Sequence, residues 1–238
     1  MLSVFELLGW GSGGWGGTLL RATATTVEVT FAALAVGAVV GAAVAWSRLS
    51  RYPLARAFGD AYTTVFRGVP ELLIIYLIYF GGSSIATQIG KYLGADGFFG
   101  LPPFLSGALA VGVISGSYQA EVYRGAYLAV SRGEIEAAMS MGMSRSKLLF
   151  RIVVPQVFRF SLPGLGNVWQ MTLKDSALIS ITGLVELMRA SQIGAGSTHQ
   201  YFLFFIAGGA LYLVLTALSG KIFNRLEDRM GRSSRRIA

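Results

Sequence analysis

Glu71, Glu121, Asp175 and Glu186 are carboxylates inside or beside long apolar runs of this 238-residue chain. A charge at the centre of a bilayer costs about 2.5–3.5 kcal/mol on insertion scales, so such groups must face protein or water. Glu71, Glu121 and Asp175 are therefore candidates to meet a cation moving along a path. Glu121 has Arg124 three residues on, on the same helix face, so an internal ion pair competes with a ligand role there. Lys174 and Asp175 are adjacent, about 100° apart around a helix, and cannot simply neutralise each other. At least one of them needs an outside partner. Glu71 and Arg67 bracket Gly68 and Pro70 at a segment start, where Glu71 serves either a path or the local structure. Catalytic chemistry has no comparable signature. The single histidine, His199, falls in a polar stretch read as surface, and neither HExxH nor GxSxG occurs. SGKI at 219–222 lacks the leading glycine and following hydroxyl of a phosphate-cradling GxxxxGK[ST] loop. With no cysteine there is neither a disulfide nor a thiolate metal site.

A second pattern is EIEAAMSMGMSRSKLLFRIVVP at 134–155, an amphipathic insert between apolar segments. Ser131 and Glu134 have capping-box spacing, which predicts a helix start. Ala137 and Ala138 keep part of that helix thin, and Gly142 supplies the left-handed residue that ends it. Ser144 can cap a second helix, with Leu148, Leu149, Ile152 and Val153 at helical spacing, and Pro155 is expected to close it. The expectation is a helix–turn–helix hairpin. A bland alternative is an interfacial loop that rests its apolar face on lipid.

The elements that must position these groups follow from composition. Hydrophobic residues make up 53% of the chain and charged residues 13%, the profile of a membrane protein. The 31 glycines suit helices packed closely in lipid. Each span needs about 20 mostly apolar residues, and five stretches qualify: Thr18–Trp46, Tyr62–Gly82, Pro103–Val130, Leu162–Leu187 and Tyr201–Phe223. The chain is thus expected to be an all-α membrane protein, a single transmembrane domain over 1–238 with a loop over about 131–160. The leader MLSVFELLGWGSGGWGG has no basic n-region, so the first helix is expected to stay in the mature protein.

Basic residues set the orientation. Arg48, Arg51 and Arg56, then Arg132, Arg145, Lys147, Arg151 and Arg159, then Lys221, Arg225, Arg229, Arg232, Arg235 and Arg236 all belong to one side. The other side has Arg21, Lys91 and Arg189. The positive-inside rule then puts the N-terminus outside and the C-terminus in the cytoplasm. The net charge of +8 lies in these short clusters, which argues against nucleic acid as a partner. Trp10, Trp15, Trp46, Tyr76, Tyr79 and Phe80 mostly sit near span ends, as interfacial anchors. Asn167 and Gln170 can line a path or bond to neighbouring helices, and core packing is the reading for Trp169.

Glu136, Ala137, Ala138, Gly142, Ile152, Val154 and Pro155 resemble the EAA loop of the membrane subunits of bacterial ATP-binding-cassette importers, with valine at 154 where the family usually has leucine. FRGVPELLIIYLIYFG at 66–81, AEVYRGAYLAV at 120–130 and LPGLGNVWQMTLKDSALISITGL at 162–184 are similar to the polar-amino-acid permeases. Within that family the likeness is to the Q subunit of the histidine, lysine, arginine and ornithine importer and to the opine permeases. The resemblance implies a five-helix inner-membrane subunit whose loop docks on an ATPase through Glu134, Glu136, Ala137, Ala138, Gly142, Ile152 and Pro155. It implies a homologous second permease subunit, an ATPase dimer that holds ATP and Mg, and a periplasmic substrate-binding protein. The cargo it implies is a polar amino acid, basic in preference, or an opine. An ATP-independent channel or secondary transporter is the rival from another class, and a structural membrane scaffold is a third reading. Neither explains the EAA spacing.

Overall fold

The computed structural model describes residues 7–11, 13–94 and 97–235, with side chains through 230. Met1–Glu6 and Ser12 of the leader, Arg236, and the side chains of Arg232 and Arg235 lie outside the described residues. Among the described residues the regular structure is helical. Four segments are long and apolar enough to cross a membrane: Gly16–Leu49, Glu71–Tyr92, Arg145–Thr182 and Tyr201–Met230.

Helix α1 (Gly16–Leu49) contains the first expected span and overruns it at both ends. The second span starts later than Tyr62. Tyr62 belongs to a separate amphipathic helix, α2 (Pro53–Gly68), and Val69 is extended at φ −93° and ψ 138°. Pro70 is the cause, since its ring pushes the preceding residue out of helical geometry. The apolar segment then runs as α3 (Glu71–Tyr76), a π turn (Leu77–Gly81) and α4 (Gly82–Tyr92).

The third expected span forms as α5 (Pro103–Leu128) but is not among the four apolar segments. Its Ser106, Ser115, Ser117 and Gln119 are buried against other helices, so their polarity meets protein. Beyond it lie α6 (Arg132–Ser140), α7 (Arg145–Leu148), a π turn (Leu149–Val153) and α8 (Val154–Asp175). The expectation that Pro155 closes the second hairpin helix fails. Pro155 occupies the first turn of α8, where a missing N–H is tolerated, and the π turn before it loosens the hydrogen-bond ladder. The fourth expected span leaves α geometry at Asp175, continues as a 3-10 segment (Ser176–Thr182), and breaks at Gly183, with φ 91°. Helices α9 (Leu187–Thr198) and α10 (Tyr201–Arg235) complete the chain.

Helices α1 and α5 run in the same direction, with Gly37-x-x-x-Gly41 laid on Gly112-x-x-x-Gly116. A Cβ on Gly41 would stand 2.9 Å from the Gly116 carbonyl oxygen and 3.1 Å from the Ala120 nitrogen, and one on Gly112 would stand 2.9 Å from the Ala33 carbonyl oxygen. Lipid tails are as apolar as leucine, so close backbone approach replaces the hydrophobic effect as the attraction between helices. Around this seam Val29, Ala33, Ile74, Ile75, Val111, Ile114 and Ile179 form the main core, joining α1, α3, α5 and the 3-10 segment. A second cluster, Leu19, Ala22, Leu187 and Ala190, ties α1 to α9.

Because the obstruction at Gly41 is backbone, Gly41→Ala is expected to destabilise the protein by about 1–3 kcal/mol, as overpacking does. Gly125→Ala has open space around its Cβ and is expected to be neutral. Thermal midpoints in detergent compare the two. Equal midpoints would reject the seam.

Candidate functional site

The charged candidates separate into two groups. Glu121, on α5, is enclosed by arginines. Its Oε1 accepts from Arg48 Nη1, at the end of α1, and from Arg67 Nη1 on α2 at 3.4 Å. Its Oε2 accepts from Arg124 Nε at 3.1 Å and Nη2 at 3.0 Å. Arg48 also donates through Nε to Asp60 Oδ1 at 2.7 Å. The spacing of Glu121 and Arg124 thus produces its ion pair. Arg48, Asp60 and Arg67 were not legible as members, since Arg48 lies 73 and Arg67 54 residues away. Arg48 read instead as a topology charge. A cleft of about 540 Å3 opens onto this cluster, lined by Asp60, Thr64, Arg67, Gly68, Tyr118 and Glu121. Tyr62 braces α2 from its other face: its hydroxyl donates to the Val113 carbonyl at 2.5 Å, and burial pushes the phenol up to about 12.

Glu71 and Asp175 form the second group. Glu71 opens α3, where a carboxylate complements the helix dipole. Asp175 ends α8, half-buried, while Lys174 is exposed. Among the described residues neither Glu71 nor Asp175 makes an ion pair. Both lie within electrostatic reach of Tyr118, on elements that pack against α5. Arg67 lies over the Tyr118 ring, 5.5 Å from its centroid. Tyr118 therefore joins the two groups.

The remaining intramembrane candidates have structural roles. Glu186 is fully buried and caps α9, accepting from the Met188 and Arg189 N–H groups at 2.7 and 2.8 Å and from the Tyr212 hydroxyl at 3.1 Å. Trp169 is buried between Phe31 and Phe223. Gln170 donates to the Thr216 carbonyl at 3.3 Å and to Ser219 Oγ at 3.2 Å on α10, an interhelical bond. His199 is exposed and ends α9 with φ 57°.

The EAA segment folds as a compact hairpin. Ser131 is the N-cap of α6 but makes no side-chain cap bond. The capping-box expectation is corrected here, because Glu134 accepts from Gln156 Nε2 of α8 and so is drawn away from the helix start. At the other end Gly142 has φ 77°. Its N–H bonds to the Met139 carbonyl at 2.9 Å, and the Met143 N–H bonds to Ala138 at 3.1 Å, the two bonds of a Schellman motif. Ala138, Leu148 and Val153 pack beneath it, with Ile152 and Met143 at the edge. A groove of about 500 Å3 collects Glu134, Ala137, Ala138, Met141, Ile152 and Pro155. Glu136 and Gly142 are exposed beside it, and Met141 is 87% exposed.

The sequence profile of the family described as "Binding-protein-dependent transport system inner membrane component" matches residues 33–232. The octopine transport system permease protein of Rhizobium radiobacter is 50% identical over 231 residues, 97% of this chain and 98% of that protein. The histidine/lysine/arginine/ornithine transport system permease protein of Escherichia coli K12 is 35% identical over 216 residues, 91% and 94% of the two chains. The crystal structure of an amino acid ABC transporter contains a chain similar to this one, with a TM-score of 0.75 and 30% identity over 90% of this chain and 95% of that one.

Gly142→Val would meet no neighbour within 4 Å, so only its backbone is strained. The expected penalty is about 1–2 kcal/mol for leaving glycine's left-handed conformation. The variant should insert normally while limited proteolysis cuts the 131–160 loop faster. An unchanged cleavage rate would mean the turn does not need that conformation.

Proposed function

The chain belongs to the family of binding-protein-dependent transport system inner membrane components, as a membrane permease subunit of an ABC importer, and from this we propose that its cargo is a basic amino acid or an opine built from one. In this reading α5 is a further span, giving five with the four apolar segments, and its polar residues face protein. The N-terminus is outside and the C-terminus cytoplasmic, on the strength of the lysine and arginine distribution. Helix α6 is the coupling helix. It presents Glu134, Glu136, Ala137 and Ala138, with Gly142, Ile152 and Pro155 behind them, to an ATPase dimer that holds ATP and Mg. A homologous second permease completes the path, and a soluble binding protein delivers cargo from outside.

The observation that carries the substrate class is the pair Glu71 and Asp175. They stand on elements packed against α5, within electrostatic reach of Tyr118, and form no ion pair among the described residues. Carboxylates on membrane-spanning segments face water or a partner charge, and a cation passing along the path supplies such a charge. A cationic side chain is such a cation. Glu121 is a poorer candidate, being occupied by three arginines. The opine alternative gains weight from the octopine permeases, which are more similar to this chain than the basic amino-acid permease of Escherichia coli.

In a reconstituted transporter, Asp175→Asn is expected to lower uptake of arginine or octopine about tenfold, the scale of one lost charged contact. Uptake of the uncharged analogue citrulline should change less than about twofold on the same argument. Equal losses for both would assign Asp175 to structure. For orientation, a cysteine at Ser197 should react with an impermeant maleimide in intact cells and one at Ser146 only after lysis. The inverse pattern would reverse the topology.

A further inference from the structure

The ion-pair cluster around Glu121, which borders the cleft, has an unequal charge count, although Arg124 stands outside the cleft lining. Three guanidinium groups, Arg48, Arg67 and Arg124, face two carboxylates, Asp60 and Glu121. Arg48 is held by both carboxylates and is 14% exposed, and Arg124 reaches Glu121 through two nitrogens. Arg67 has the weakest hold, one contact at 3.4 Å from a side chain 45% exposed. It is the cation that an incoming anion can recruit without dismantling the others. Its position is still fixed, because it lies over the Tyr118 ring, which orients a guanidinium by cation–π attraction. Thr64 stands three residues before it on the same face of α2 and lines the same cleft, so a hydroxyl donor lies beside the fork.

The same ring carries the opposite polarity. Glu71 opens α3 and Asp175 ends α8, and both elements pack against α5 within electrostatic reach of Tyr118. Arg67 and Glu71 are four residues apart across the break at Val69 and Pro70, one near the end of α2 and the other opening α3. A cation-attracting pair and an anion-attracting guanidinium therefore converge on one aromatic side chain. That arrangement fits a molecule with both charges. It suits a doubly charged phosphate poorly, because Glu71, Asp175 and Glu121 would all oppose it.

We propose that Arg67, assisted by the Thr64 hydroxyl, binds the carboxylate of the transported zwitterion while Glu71 and Asp175 receive its cationic end. This rests on the substrate class proposed above. It makes Arg67 a specificity-determining residue of the path, and it explains why Glu121 is supplied with more arginines than its charge requires.

The test uses the complete transporter in nanodiscs without its binding protein, so that recognition by the membrane subunits alone is read. Equilibrium binding of radiolabelled arginine and octopine is measured, with argininamide, whose carboxylate is an amide, as competitor to arginine. The wild type is expected to prefer arginine to argininamide by about tenfold, as a charge-assisted fork would give. Arg67→Gln should erase that preference by weakening arginine and leaving argininamide unchanged. Arg67→Lys keeps the charge, guards against a folding failure, and should retain part of the preference. Thermal midpoint and ATPase association report assembly for each variant. Equal weakening of both ligands by Arg67→Gln, or no change in their ratio, would overturn the assignment. Equal affinity of the wild type for arginine and argininamide would overturn it while leaving the substrate class intact. Failure of the wild type to bind arginine, octopine or argininamide would overturn the substrate class as well.

Discussion

The contact between Gly37-x-x-x-Gly41 and Gly112-x-x-x-Gly116 is the constraint on which the other arrangements depend. In water, burying apolar side chains would hold α1 against α5, but in lipid that term vanishes and what remains is short-range packing. Glycine permits it here, since a Cβ at Gly37, Gly41 or Gly112 would meet a backbone carbonyl oxygen of the facing helix at 2.9–3.1 Å as well as packed side chains. Once the two helices are in register, their inner ends are fixed relative to each other. Arg48 then falls on Glu121, and α2 is clamped beneath by Asp60 and Tyr62.

Polar groups along this seam are satisfied within the protein, as the absence of water demands. Gln119 donates to the Leu34 carbonyl at 3.2 Å and to Ser115 Oγ at 3.0 Å, and accepts from the Tyr123 hydroxyl at 2.8 Å. Thr172 of α8 donates to the same serine at 3.2 Å. Buried Thr26 and Thr30 return their hydroxyls to carbonyls one turn back. Glu186 does the equivalent at the start of α9. Glu71 and Asp175 differ from these groups, for neither makes an ion pair among the described residues.

Local chemistry was legible in the sequence; long-range partnership was not. The left-handed Gly142, the Glu121–Arg124 pair and the packing role of Trp169 depend on neighbours within a turn or on residue type. The paired glycine motifs were equally readable, as two four-residue spacings in apolar runs, but were taken only as composition. Two prolines set boundaries that differ from the expected ones. Pro70 breaks the chain and delays the second span, whereas Pro155 sits in a first turn behind a π bulge and breaks nothing. The convergence of Arg48, Asp60 and Arg67 on Glu121 needs the register of α1, α2 and α5. No window of the sequence contains that register. Helix α5 forms within the bounds expected from the sequence, and its buried Ser106, Ser115, Ser117 and Gln119 show that its polarity is matched by neighbouring helices.

Helical geometry is continuous from Arg145 to Thr182, through the π turn and into the 3-10 segment. The hairpin helix α7 and the carboxylate of Asp175 therefore belong to one mechanical member, about 45 Å apart at 1.5 Å per residue. Pivoting such a lever by about 5° about one end carries the other through roughly 4 Å, more than the length of a hydrogen bond. Its hydrogen-bond ladder is loosened at the π turn Leu149–Val153, where α7 meets α8, and again at Pro163 within α8. A displacement imposed on α7 would thus reach Asp175 along the helix itself, with no relay of side chains needed to carry it.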